Sequence, residues 1–156
     1  MKISQGDIAP NFSLVDHYGA ERQLYSELAN GPVALVFYPL SFTGVCTQEL
    51  ETLQDNISKF QNSGVQLFAV SVDSMHTQRT FAESLGLEFS LLSDFWPHGG
   101  VAQQYGCFNE VAGVAQRATF FVDPSRKVRE ILRSESTEPR RLSEYLSAVC
   151  TIGPSS

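Results

Sequence analysis

The sequence predicts an α/β sandwich in which helices cover both faces of a central mixed β-sheet. Three observations carry that expectation. Two apolar runs, residues 33–38 and 65–72, read as central strands, and an amphipathic helical stretch lies between them. Later in the chain, two strand-like runs at 118–122 and 128–132 flank an Asp-Pro turn and predict a hairpin.

In chain order, residues 12–15 are a short extended segment, followed by the turn-like Asp16-His-Tyr-Gly19. The run 33–38 is apolar on both faces and ends at Pro39. From Cys46 onward, Leu50, Leu53, Ile57 and Phe60 recur at helical spacing, and Glu51, Gln54, Asp55 and Lys59 take the opposite face. That pattern predicts one helix stopped by Gly64, leading to the strand 65–72 and hence a right-handed βαβ unit if the strands are parallel. Asp73 or Ser74 caps a further helix carrying Phe81, Ala82 and Leu85 and ending before Gly86. Residues 89–92 form a short apolar piece. The last helix is expected to begin near Thr137, with Pro139 in its first turn and Leu142, Tyr145, Leu146 and Val149 as its buried stripe.

The 156 residues, 42% hydrophobic and 18% charged, suit a single domain over 1–150 followed by a flexible tail, 151–156. A net charge of −6, with 11 scattered basic residues against 17 acidic ones, argues against a nucleic-acid partner. No apolar segment reaches the roughly 20 residues that span a bilayer, and Met1 to Asp7 lacks the apolar stretch of a signal peptide. The expectation is a soluble, cytoplasmic protein without a membrane partner. Three cysteines at unrelated spacings do not form a secreted disulfide framework and fit a reducing compartment in which individual thiols do chemistry.

Cys46 is the most informative residue. It lies in Tyr38-Pro-Leu-Ser-Phe-Thr-Gly-Val-Cys46-Thr-Gln-Glu49, between a strand and a helix, so its sulfur is expected near a helix N-terminus whose unpaired N–H groups favour a thiolate. A free thiol, with a pKa of about 8.5, is only a few per cent ionised at neutral pH, so a nucleophilic role needs further help. Arg117 enters just before the strand 118–122, which could neighbour the strand leading to Cys46, and its guanidinium is the chosen partner. Arg22, Arg79, Arg126, Arg129, Arg133, Arg140 and Arg141 fall in stretches that read as turns or solvated faces. Thr43 has a hydroxyl that can donate to a substrate oxygen, Pro39 can shield the pocket, and Glu49, one helical turn past Cys46, can hold the guanidinium in place. An isolated cysteine in such a protein is commonly a buried filler, but the Pro39, Thr43 and Arg117 setting reverses that reading.

The pattern P-x-x-x-T-x-x-C after a strand, with a distant arginine opening a later strand, resembles the peroxiredoxins. The similarity runs from Gly6-Asp-Ile-Ala-Pro-Asn-Phe-Ser-Leu14, through the Cys46 block, to Leu92-Ser-Asp-Phe-Trp-Pro-His-Gly99. Together with Tyr105-Gly-Cys-Phe-Asn-Glu110, that last block most resembles the one-cysteine, AhpE-like branch. The resemblance implies a thioredoxin-like three-layer fold and a thiol peroxidase that reduces hydrogen peroxide, organic hydroperoxides or peroxynitrite. Cys46 would attack and become a sulfenic acid, with Thr43, the Cys46 N–H and Arg117 binding the peroxide oxygens. An external thiol, whether a small thiol, a glutaredoxin-like protein or thioredoxin, would restore it without metal or organic cofactor.

Cys107 reads as packing, and Cys150 loosely resembles the late cysteine of two-cysteine peroxiredoxins, so either could resolve the oxidised Cys46. A resolving cysteine five positions on would fall at Glu51, and the C-x-x-C of a dithiol exchanger would need one at Glu49. His17, His76 and His98 have no ligand spacing. A different class of reading is a redox-regulated binding or chaperone module without meaningful turnover. Phe42 and Phe95-Trp-Pro97 are large apolar groups in expected loops, and with the resemblance they point to a homodimer or a larger ring.

Overall fold

The computed structural model describes residues 3–134 and 140–152. Strands β1 (Ser13–Asp16) and β2 (Glu21–Gln23) are followed by the short helix α1 (Leu24–Glu27) and by β3 (Val33–Phe37). Next come α2 (Gly44–Asp55), α3 (Ile57–Asn62), β4 (Gln66–Ser71), α4 (Met75–Leu85), β5 (Ser90–Ser93) and α5 (Gly100–Gln104). The chain continues through β6 (Phe108–Asn109), β7 (Val114–Ala115), β8 (Ala118–Val122), β9 (Val128–Arg133) and α6 (Leu142–Ile152).

Seven strands form one sheet in the order β2-β1-β5-β4-β3-β8-β9. The β3–β4 and β4–β5 pairs are parallel, and the β3–β8, β8–β9, β1–β5 and β1–β2 pairs are antiparallel, so the sheet is mixed, as expected. Residues alternate across the pleat. Leu35, Phe37, Phe68, Val70 and Phe120 pack one core with Phe12, Tyr105 and Cys107. Ala34, Val36, Tyr38 and Phe121 pack the other with Cys46, Leu50 and Leu53 of α2, Phe60 of α3, Phe81 of α4 and Tyr145 and Val149 of α6. The apolar character of residues 33–38 on both faces follows from this double burial.

Several elements differ from the sequence reading. The single helix expected after Cys46 divides at Asn56, whose backbone leaves helical geometry (φ −115°, ψ 20°) while its side-chain amide donates to the Thr52 carbonyl at 2.9 Å. Strand β2 was not expected because its residues, Glu21, Arg22 and Gln23, are polar and lie on the sheet edge, where apolar residues are not required. It is held in register by an Asx-type turn in which the Asp16 carboxylate accepts from the N–H groups of Tyr18 and Ala20. Ser74 rather than Asp73 caps α4, accepting from the Thr77 N–H at 3.2 Å, and Gly86 ends the helix in the left-handed region at φ +64°.

The expected start of the last helix, Thr137 and Pro139, lies outside the described residues. The helix is described from Leu142 and buries Tyr145, Ala148, Val149 and Ile152, with Leu142 and Leu146 half-buried. It includes Thr151 and Ile152, the first two residues of the segment read as a tail; 153–156 are outside the described residues. No helix among the described residues is long and apolar enough to cross a membrane.

Candidate active site

The site forms where β3 gives way to α2. Pro39 stops the strand and is half-buried, and Phe42 takes the left-handed backbone region at φ +66°. Thr43 is the N-cap residue of α2 with extended dihedrals (φ −95°, ψ 150°), and its exposed hydroxyl donates to the Leu40 carbonyl at 2.9 Å rather than to a helix N–H. Cys46 is the third residue of α2 and fully buried, in the turn whose N–H groups have no partner within the helix.

Arg117 reaches it through sheet register. Ala118 pairs with Phe37, so the residue before β8 emerges beside Tyr38, where the chain turns toward Cys46. Its guanidinium donates from Nη2 to the Cys46 Sγ at 3.0 Å and from Nη1 to the Glu49 Oε1 at 3.0 Å. Cys46, Arg117 and Glu49 are thus one bonded group, and Glu49 is buried rather than on the solvated face of its helix.

Arg140 requires a correction. Far from lying on a solvated face, it is buried and clamps Glu49 with three donors: its backbone N–H at 3.0 Å and its Nε at 2.6 Å to Oε2, and its Nη2 at 2.8 Å to Oε1. Its Nη1 donates to the Thr119 hydroxyl at 2.9 Å, Thr119 lies 2.8 Å from the Tyr145 hydroxyl, and Tyr145 donates back to Glu49 Oε2 at 3.2 Å. The hydroxyl hydrogens therefore run in one direction, from Thr119 to Tyr145 to Glu49. Burial pushes the Tyr145 hydroxyl up, so it stays protonated and remains a donor. Burial by itself would lower Arg140, but the charge and hydrogen bonds of the Glu49 carboxylate outweigh it and the guanidinium is held more firmly charged. The sequence placed Tyr145 on a buried helical stripe, but nothing local marked Arg140, because its partner Glu49 is distant in the chain.

The remaining cysteines are placed differently. Cys107 belongs to the core on the face of the sheet opposite Cys46, and burial pushes its thiol up to about 12. Cys150 is exposed on α6. Among the described residues, no cluster of His, Cys, Asp and Glu could hold a metal ion.

Residues 5–131 match the AhpC/TSA family. Alkyl hydroperoxide reductase E of Mycobacterium tuberculosis is 44% identical over 127 residues, covering 81% of this chain and 83% of that protein. Chloroplastic peroxiredoxin Q of Triticum aestivum is 29% identical over 149 residues, covering 95% of this chain and 67% of that one. The crystal structure of peroxidoxin BcpB from Mycobacterium tuberculosis superposes with a TM-score of 0.86 at 31% identity, covering 96% of this chain and 98% of that one. The mixed sheet with helices on both faces is accordingly the thioredoxin-like sandwich. The chain belongs to the AhpC/TSA family of peroxiredoxins, in its AhpE-like branch.

Proposed function

We propose that this protein is a thiol-dependent peroxidase with Cys46 as its nucleophile and an external thiol as its reductant. The observation that carries this reading is the 3.0 Å contact from the Arg117 guanidinium to the buried Cys46 sulfur. A guanidinium donor at that distance, together with the N–H groups of the first turn of α2, directs positive charge at the sulfur and aims it. The sulfur attacks one oxygen of the hydroperoxide and the O–O bond breaks. Cys46 becomes a sulfenic acid, and the second oxygen leaves as hydroxide or alkoxide and takes a proton to give water or an alcohol.

Positioned donors are needed because lowering a thiol's pKa also lowers its intrinsic nucleophilicity. Arg117 and the Cys46 N–H stabilise charge as it moves onto the departing oxygen. The Thr43 hydroxyl has its hydrogen on the Leu40 carbonyl, so in this conformation it meets the peroxide as an acceptor of the peroxide O–H. Pro39 shields the pocket from water, and Glu49 fixes the guanidinium.

One thiol then attacks the sulfenic sulfur and releases water, and a second displaces Cys46 from the mixed disulfide. Hydrogen peroxide, organic hydroperoxides and peroxynitrite are the substrate classes, and a small thiol, a glutaredoxin-like protein or thioredoxin is the reductant class. The placement of Cys107 across the sheet, with its thiol pushed up to about 12, counts against it as an internal resolver and supports the one-cysteine mechanism. Phe42, Phe95 and Trp96 are 55%, 53% and 81% exposed on loops leaving β3 and β5, and this supports pairing with a second copy. The expected compartment is the cytoplasm. One equivalent of peroxide should leave a dimedone-reactive Cys46, and Cys46→Ser should be inert; peroxide consumption by Cys46→Ser at the wild-type rate would refute the assignment.

A further inference from the structure

The ladder that joins β1 to β5 is short. Val15 pairs with Ser93 and Asp16 with Leu92 before the chain turns away toward β2. One residue further along β5, the Leu91 N–H donates to Nδ1 of His17 at 3.1 Å, so an imidazole stands where the strand's next backbone acceptor would. With the strands in the order β2-β1-β5, this ring fastens the outer pair of strands to the rest of the sheet. It is 4% exposed, and the Tyr18 ring lies 4.4 Å from it. Arg79 of α4 donates from Nε to the His17 carbonyl at 2.9 Å and sets its guanidinium 5.6 Å over the Tyr18 ring.

Only one protonation state of His17 fits these contacts. Nδ1 accepts, so the neutral ring carries its hydrogen on Nε2. Protonation would set an N–H against the Leu91 N–H and place a charge in a buried position. The charged groups facing the ring are Asp16 beside it and Arg79 and Glu83 from α4, whereas β5 offers only Ser90, Leu91, Leu92 and Ser93. The Asp16 carboxylate is already engaged by the N–H groups of Tyr18 and Ala20 and by the Arg22 guanidinium. Burial outweighs the two acids and, with Arg79, holds the ring below the ordinary histidine range.

We propose that His17 is an acid-sensitive clasp on the sheet edge: neutral, it fastens the turn between β1 and β2 to β5; protonated, it releases the Leu91 N–H and the turn comes away. The released ring binds a proton more readily than the clasped one. The clasp is therefore fully present above the ordinary histidine range and is lost as pH falls through and below it. This goes beyond the peroxidase reading and involves no group at Cys46, which follows β3, two strands from β5.

The test is amide exchange of the Leu91 N–H, expressed as a protection factor corrected for the intrinsic effect of pH, in wild type and in His17→Asn. The Asn Oδ1 takes the place of Nδ1 as an acceptor and does not titrate. Between about pH 7.5 and about pH 5.5 the wild-type factor should fall about tenfold, the consequence of one proton taken up on opening. In His17→Asn it should stay within about twofold, and the amides of β3 should keep their protection in both proteins. An equal fall in both proteins, no fall in the wild type, or a wild-type fall shared by β3 overturns the proposal.

Should His17→Asn not fold, the wild type decides by NMR titration of the His17 ring beside the Leu91 amide. Loss of Leu91 protection as the ring takes up its proton supports the clasp, and protection kept through that titration overturns it.

Discussion

Arg117 and Cys46 are joined by a direct 3.0 Å contact from guanidinium to sulfur, although 71 positions separate them in the chain. The contact exists because β8 lies antiparallel to β3, which brings the start of one strand beside the end of the other. The same guanidinium is held by Glu49, and Glu49 by Arg140, so its aim is set by a buried network rather than by its own flexible stem.

Replacing Arg117 by Ala should therefore slow the reaction with hydrogen peroxide by about 10- to 100-fold, the scale of one charge-assisted hydrogen bond. Arg117→Lys should fall between that variant and wild type, because an ammonium is a point charge that does not span Cys46 and Glu49 as a planar fork does. Peroxide consumption under single-turnover conditions measures both.

Glu49 is the stability-critical acid. Glu49→Ala leaves the Arg140 guanidinium buried without its carboxylate, at a cost of about 3–5 kcal/mol, whereas Tyr145→Phe removes one neutral donor and should cost about 1 kcal/mol. Urea denaturation midpoints at unchanged m-value should rank wild type above Tyr145→Phe, and Tyr145→Phe above Glu49→Ala.

The site was only partly legible in the sequence, for a physical reason. Pro39, Thr43 and Cys46 are a local pattern, written in consecutive turns of chain, and Glu49 is one helical turn further on. Arg117 could be reached by a topological argument, since an arginine opening a central strand lies beside the end of its antiparallel neighbour. Arg140 had neither kind of signal: its burial depends on how α6 docks against β8 and β9, and an Arg-Arg pair ahead of an amphipathic helix reads the same whether it faces water or a carboxylate. The core strands were legible because each buries both faces; β2 was not, because a polar edge strand is specified by its partner and its turn.

Alkaline stability should report on Cys107. Its folded-state pKa is raised to about 12 by burial, so its contribution is fully present below the ordinary thiol value and is lost as pH rises toward 12. Over that window the unfolded chain has lost the proton that the folded one keeps, so stability falls with pH. In Cys107→Ala that part of the decline should vanish, leaving the share from the buried Tyr38, Tyr105 and Tyr145, each also raised by burial. Denaturant midpoints measured from pH 8 upward test it.

If neither remaining cysteine resolves the oxidised site, a variant lacking both should still turn over peroxide with an added thiol at a rate within about twofold of wild type. Its mass after one equivalent of peroxide should rise by one oxygen, as in the wild type. A wild-type mass lower by two hydrogens would mark an internal disulfide and a two-cysteine cycle.

The most direct test is the second-order rate constant of the reduced wild-type protein with hydrogen peroxide, measured beside free cysteine under the same conditions. Each tenfold corresponds to about 1.4 kcal/mol, and the guanidinium, the helix terminus and the oriented pocket together predict a constant several orders of magnitude above that of the free thiol. A constant equal to that of free cysteine would mean that the 3.0 Å contact between Arg117 and Cys46 does not serve peroxide reduction.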